Sequence, residues 1–553
     1  MSAGLKSAPA KGLAAESAAS ITAVEGANPY KWIIVVAVML GTILEVLDTS
    51  IVNVALPHMQ GSFSASVDEI TWVVTSYLVA NGIMIPMTGW ISARFGRKRY
   101  FLFSVTGFVI ASAACGAARS LNQIVIFRLL QGFSGAAMQP SSQAILMETF
   151  PPEEQALAMA WWGIGMTLAP IIGPTVGGWI TDNWSWRWNF YINVPVGILA
   201  VIMVSAFVHD PPYLRKARIQ GGRIDYQGIL MLALGLGLLQ IVLDRGQRAD
   251  WFASPWVIYA TAASVLCFVL LIYQELAHPQ PILDLRIFAK PSFTLATTFV
   301  VMMSFTLFSA NLLNPVFLQE FMGYTALQAG LVLAPRAIGI MIAMFIAGQL
   351  ERVGFNTRYL MFGGLMLQWT ALWQMSHWNL QVGYWQILTP TFMLSTGFSF
   401  IFPVLSAATL ACVERDRMGY AASLYSMVRN VGSAVGISVV STMLVNGEQI
   451  HQSRLAEHFS VFEAWRLPAM SARMPGGPHF LSLPDQLAGP KQGLAMIYGQ
   501  IQLQSAMLAL NDIYRMLLAI GATVMPLVLI AWIWQNRKTN RPSAGSDAAA
   551  LGH

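Results

Sequence analysis

Two acids stand inside the first long apolar run of the chain. Trp32 to about Leu56 is long enough to cross a bilayer as a helix. Glu45 and Asp48 lie past its middle, three residues apart and so on one helical face. Near the centre of a membrane helix each costs roughly 2.5–3.5 kcal/mol. Ionisable groups in that position face a protein interior or a watery cavity rather than lipid. The chemistry open to such carboxyls is reversible protonation, and if the two interact they titrate as a pair. The competing reading is structural, a pair hydrogen-bonded to neighbouring helices, although Ser or Asn would fill that role at less cost. Arg128, a few residues into the fourth apolar run, is a third ionisable group of this kind. Its guanidinium keeps its charge, so it must meet an acid, backbone carbonyls or water, unless it snorkels to the interface.

Further polar groups are scattered through the runs. Tyr77 and Asn81 lie one turn apart in the second, and Gln131 follows Arg128 by three residues. The second half supplies Asn311, Asn314, Arg336, Arg429 and Asn430. Arg336 and Arg429 lie deep enough to demand partners, either a bound solute or structural hydrogen bonds. The eight histidines and the three cysteines (Cys115, Cys267, Cys412) match no metal or disulfide spacing. Nucleophile–base clusters and phosphate loops are also missing from the sequence. The expectation is therefore no catalytic residues, no metal and no cofactor.

The elements that must hold these groups are membrane helices. Apolar residues make up 56% of the 553 and charged residues 10%, against about 25% charged in a soluble chain. The net charge of +6 does not point to nucleic acid, because the basic residues fall in short gaps between apolar runs. Runs of spanning length lie near 32–56, 70–92, 100–118, 122–146, 156–181, 188–208, 226–243, 254–275, 292–321, 327–350, 358–376, 383–411, 418–446 and 511–534. The chain thus reads as an all-α membrane protein of about fourteen helices. Arg94/Arg97/Lys98/Arg99, Arg215/Lys216/Arg218/Arg223, Arg286/Lys290, Arg352/Arg358, Arg415/Arg417 and Arg537/Lys538/Arg541 all follow even-numbered runs. The excess of Lys and Arg on one side puts both termini in the cytoplasm. Gly89–Arg97 (GWISARFGR) is echoed as Gly348–Phe355 (GQLERVGF), eight runs later. That offset fits two six-helix halves separated by an inserted pair.

Five stretches carry a family resemblance. LDTSIVNVALP (Leu47–Pro57), GWISARFGRK (Gly89–Lys98), FRLLQGFSGAA (Phe127–Ala137), APIIGPTVGG (Ala169–Gly178) and WRWNFYINVPVG (Trp186–Gly197) resemble, in order, the motifs of fourteen-span drug:proton antiporters of the major facilitator superfamily. The resemblance implies a major facilitator fold. Its parts are a tail (1–30), a six-helix bundle (31–209), an inserted two-helix segment (210–290), a second bundle (291–534) containing an external loop (447–510), and a tail (535–553). It further implies export of hydrophobic or amphiphilic small molecules across a bacterial inner membrane by alternating access, driven by the proton gradient. Asp48, Glu45 and Arg128 become proton-coupling candidates, and Tyr77, Asn81, Gln131, Asn311, Asn314, Arg336, Arg429 and Asn430 line a cargo cavity. Gly89, Arg94, Gly96 and Arg97 form the loop motif, which reads equally as a gate or as a solvated basic loop. The family pattern has an acid at Ala93, so one expected ion pair is missing. Gly132, Pro170, Gly173, Pro174, Gly177 and Gly178 would serve close packing and bending. Members of this family work with a periplasmic adaptor and an outer-membrane channel. The alternatives are a metabolite:proton symporter of the same fold and, leaving the motifs unexplained, a polytopic sensor or enzyme.

Overall fold

A computed structural model describes residues 29–210, 225–278, 281–414, 417–457 and 498–522. Outside these lie the tails, the basic clusters Arg215–Arg223 and Arg537–Arg541, Arg415, the C-terminal half of the last run, and most of the 447–510 loop. The described residues are helical with no strand. Eleven helices are long and apolar enough to cross a membrane.

The first half is built of α1 (Lys31–Phe63), α2 (Asp68–Phe95), α3 (Arg97–Ala117), α4 (Leu121–Gly135), α5 (Met138–Thr149), α6 (Gln155–Asn183) and α7 (Trp188–Phe207), of which α4 and α5 are too short to be among the eleven. The run read as one span over 122–146 is two helices, α4 and α5. The break falls in the small residues of Gly135–Ala137, and Pro140 occupies the first turn of α5, where a missing N–H costs nothing. An added Cβ on Gly132 would stand 2.5 Å from the Tyr77 carbonyl; only glycine lets α4 approach α2 that closely.

The inserted pair is α8 (Tyr226–Arg245) and α9 (Pro255–Ala277). α8 packs on α2, whereas α9 leans on α8 and is otherwise exposed, with 17% of its spanning window buried. The second half comprises α10 (Pro291–Val316), α11 (Gln328–Arg352), α12 (Thr357–Met375), α13 (Tyr384–Ala411), α14 (Met418–Glu457) and α15 (498–522). At 40 residues, α14 is about 60 Å long, twice the hydrocarbon thickness of a bilayer. It outruns the expected 418–446 and lies beside α15 in its last turns, where His451 Nε2 meets Asp512 at 2.9 Å and Gln452 donates to Tyr498 at 3.2 Å.

The halves meet reciprocally. α6 packs on α11 and α13, and α14 packs on α2 and α5. In run order the second and fifth spans of one half thus meet the fifth and second of the other, the pattern a two-fold relation produces. The Gly89/Gly348 echo is this relation seen in sequence. A Cβ on Gly89 would stand 2.7 Å from Tyr420 Cα, and one on Gly348 2.8 Å from Leu157 Cα. Each motif ends in a glycine at positive φ, Gly96 (94°) and Gly354 (83°), where the chain turns sharply.

Both contacts lie at the end of the molecule that carries Arg94, Arg97, Lys98 and Arg352. Toward the opposite end Gly330 has nothing within 4 Å of an added Cβ, and Gly178 meets only Val54 at 3.8 Å, so neither is pressed by the other half as Gly89 and Gly348 are.

Candidate functional site

At the waist of the first bundle, α1 turns its two acids into separate networks. Asp48, fully buried, forms an ion pair with Arg128 NH1 of α4. Its Oδ1 also accepts from Gln131 Nε2 at 3.0 Å and from Asn193 Nδ2 of α7 at 2.8 Å. Arg128 itself donates from Nε to the Val73 carbonyl at 3.1 Å and from NH1 to Gln131 Oε1 at 2.9 Å. Its guanidinium lies 4.2 Å from the centre of the Tyr77 ring, a cation–π contact. Asn193 is steadied in turn by Ser112 Oγ at 3.0 Å, which donates to the Phe190 carbonyl. This is a buried ion pair in which both carboxylate oxygens of Asp48 are engaged, while Arg128 NH2 has no hydrogen-bond partner among the described residues. Of the partners open to Arg128 on sequence grounds, the structure shows an acid, Asp48, and a backbone carbonyl, that of Val73.

Glu45 is different. One turn closer to the basic end, it is 3% exposed, and its Oε1 accepts from Asn81 Nδ2 at 2.9 Å and from Gln139 Nε2 of α5 at 3.1 Å. Its Oε2 has no hydrogen-bond partner among the described residues. Gln139 faces both ways, because its Oε1 accepts from Arg429 NH2 of α14. The chain Glu45–Gln139–Arg429 therefore crosses from one half to the other, and Ser426 to Gln143 at 3.3 Å adds a second polar crossing beside it. Arg429 lies over the Trp162 ring at 5.3 Å, and Trp162 stacks on Phe402 at 5.9 Å. Along α1 the face bearing Glu45 opens progressively: Thr49 is half-buried and Asn53 is exposed. Glu45 thus sits at the buried foot of a polar face that becomes exposed away from the basic end.

Other sequence candidates fall elsewhere. Asn314 accepts from Tyr514 Oη of α15 at 3.0 Å, inside an apolar cluster of the second half, with Asn311 half-buried on the same helix. Arg336 is in electrostatic range of that same Tyr514. Among the described residues no hydrogen bond links these three to the Glu45 network. Asn430 is half-buried next to Arg429, and its carbonyl accepts from Ser433 at 3.0 Å. Gly173 and Gly177 of α6 pack on Ser50 and Ile51 of α1, holding the acid-bearing helix close. Pro170 and Pro174 are exposed, and α6 stays one helix through them.

At the basic end Arg97, 2% exposed, pairs with Glu148 at the end of α5. The acid missing at Ala93 is thus replaced from another helix. Arg94 stacks on Trp90 with a 5.6 Å separation, and Glu154 joins Lys31 to Arg352 of the other half (3.2 Å to Arg352). Sequence reasoning passed over Gln139, Asn193, Ser112, Glu148 and Glu154. The signal for Gln139 was present in Gln139–Gln143 (QPSSQ), five residues with four polar side chains inside a nominal span.

Two reciprocal helical bundles of spanning length, packed together at the basic end and joined through buried charges, have the architecture of a membrane carrier. A family model for the Major Facilitator Superfamily matches residues 38–437. Multidrug export protein EmrB of Escherichia coli (strain K12) is 34% identical over 502 residues, covering 91% of this chain and 94% of that protein. Fatty acid resistance protein FarB of Neisseria gonorrhoeae is 33% identical over 500 residues, 90% and 94% of the two chains. The crystal structure of the proton:xylose symporter XylE superposes with a TM-score of 0.56 at 13% identity over 90% of this chain and 96% of that one, a likeness of fold. The chain belongs to the Major Facilitator Superfamily, on the EmrB-type multidrug exporter branch.

Proposed function

We propose that the protein is a proton-coupled antiporter that exports hydrophobic or amphiphilic compounds by alternating access, with Glu45 as the carboxyl that exchanges the proton. The observation that carries this is the contrast between the two acids. Asp48 is neutralised by Arg128 and two amides, whereas Glu45 keeps an oxygen without a partner among the described residues, at the buried foot of a polar face that opens away from the basic end. A proton arriving along that face settles on the free Oε2 and leaves Oε1 with its two hydrogen bonds. What it removes is the negative charge that faces Arg429 across Gln139, and the attraction between the two halves weakens with it. The equilibrium between the two openings shifts only if the ligand binds the two states differently, and this relay makes the proton such a ligand. Cargo would lie between the halves, in the state that opens there, against Arg429 and the Trp162–Phe402 wall. The relatives' names, multidrug export and fatty acid resistance, support amphiphilic cargo.

The excess of Lys and Arg supports a cytoplasmic closed end, cytoplasmic termini and residence in a bacterial inner membrane. The long outer part of α14 supports a meeting with a periplasmic adaptor and, through it, an outer-membrane channel.

The test is transport in proteoliposomes under an imposed pH gradient. Glu45→Gln keeps the shape and both hydrogen bonds, so it should retain downhill cargo exchange and lose gradient-driven accumulation. Undiminished uphill transport by Glu45→Gln overturns the assignment. The same fold serves a proton symporter, so direction needs its own measurement: in detergent, cargo added to an antiporter releases protons and cargo added to a symporter does not.

A further inference from the structure

At the end opposite the basic one, away from the Glu45 network, a cavity of about 480 Å³ lies between α2 and the inserted pair. Its walls are Asp68 and Trp72 of α2, Ile241 and Arg245 of α8, Arg248 and Ala249 of the following turn, and Trp256 of α9. Arg245 is anchored by Thr71 Oγ1 at 2.8 Å and the Asp68 carbonyl at 3.3 Å, and lies 4.6 Å over the Trp72 ring. Its Nε, 3.8 Å from Asp244, makes no hydrogen bond among the described residues. Arg248 reaches Asp68 Oδ1 and Thr71 Oγ1, each at 3.3 Å, with half of its side chain exposed. The nearby Asp244 is already occupied by Thr75 Oγ1. Two guanidinium groups therefore face one open carboxylate, with an indole on either side, Trp72 40% and Trp256 42% exposed.

Guanidinium forks suit phosphate oxygens, indoles mark the membrane interface, and Asp68 offers an acceptor for an ammonium. Below the cavity, α9 presents Leu266, Val269 and Ile272, all exposed and apolar. We infer that this cavity seats the headgroup of a phosphatidylethanolamine. The phosphate lies against Arg245 and Arg248, the ammonium toward Asp68, and the acyl chains along α9. The lipid would fasten the inserted pair to α2, which otherwise holds it at this end through Arg245 and Arg248.

Native mass spectrometry of the purified full-length protein, titrated with phosphatidylethanolamine, phosphatidylcholine and phosphatidylglycerol, tests this. Ethanolamine lipid should be retained over choline lipid. Arg248→Gln should weaken retention about tenfold, the scale of one charge-assisted hydrogen bond, and Asp68→Asn should abolish the ethanolamine preference. Trp256→Ala, which touches no ion pair, should also weaken retention and serves if Arg248→Gln fails to fold. Retention unchanged in the folded variants overturns the proposal. So does displacement by inorganic phosphate as effective as by lipid, which assigns the site to a free anion, or one-for-one displacement by amphiphilic cargo, which makes it a cargo port.

Discussion

Replacing Asp48 with Asn should damage the fold more than the transport chemistry. The substitution leaves Arg128 charged and fully buried, with only the Val73 carbonyl (3.1 Å) and Gln131 Oε1 (2.9 Å) as acceptors. It also sets a new amide against two existing amide donors, Gln131 Nε2 and Asn193 Nδ2. Removing one member of a buried ion pair costs about 3–5 kcal/mol, whereas removing both charges together is often nearly neutral. Asp48→Asn should therefore lose about 3–5 kcal/mol, Arg128→Met a similar amount, and the double variant no more than either single, a coupling of at least about 3 kcal/mol. Denaturant titration in mixed micelles across the four proteins measures the cycle. Additive losses, or a loss below about 1 kcal/mol for Asp48→Asn, would refute the closed pair and return Asp48 to the role proposed for Glu45.

Other expectations follow from the same geometry. Gln139→Leu removes both links of the Glu45–Arg429 relay, so uphill transport should fall at least about tenfold while equilibrium cargo binding, measured in detergent, stays within a few-fold. Gly89→Val places a side chain on the Tyr420 backbone, so the basic end should no longer close. Spin labels at that end should report a wider separation than in wild type, and unchanged distances would contradict the packing. Arg352→Ala breaks only a half-exposed bridge to Glu154 and should cost under about 1 kcal/mol. The same measurement on Arg97→Met, whose partner Glu148 is largely buried, should give several times as much.

The charges were legible because charge inside an apolar run is expensive and stands out. Glu45, Asp48 and Arg128 were each visible for that reason, as were the spans that hold them. Their division of labour was not. Glu45 and Asp48 share a helical face, and only the placement of α4, α5 and α7 decides that one meets a guanidinium and the other meets amides. Gln139 and Asn193 were passed over because a buried amide is cheap once hydrogen-bonded; composition carries little trace of it. The break between α4 and α5 was hidden for a related reason, since small apolar residues continue the run while ending the helix. Arg336 shows what depth can and cannot give: it announced a group that needs a partner, and only the structure shows that it lies in range of Tyr514, which also donates to Asn314.

The length of α14 has a mechanical consequence. One rod carries Gly419, which abuts the Gly89 turn, Arg429, which reaches Glu45 through Gln139, and a far tip at Glu457. Pivoting about its first turn, a rod of about 60 Å that tilts by about ten degrees sweeps its tip through roughly 10 Å. A shift of about 3 Å at Arg429 is thereby amplified about threefold into a stroke at the tip, where another protein can feel the turnover cycle without touching cargo.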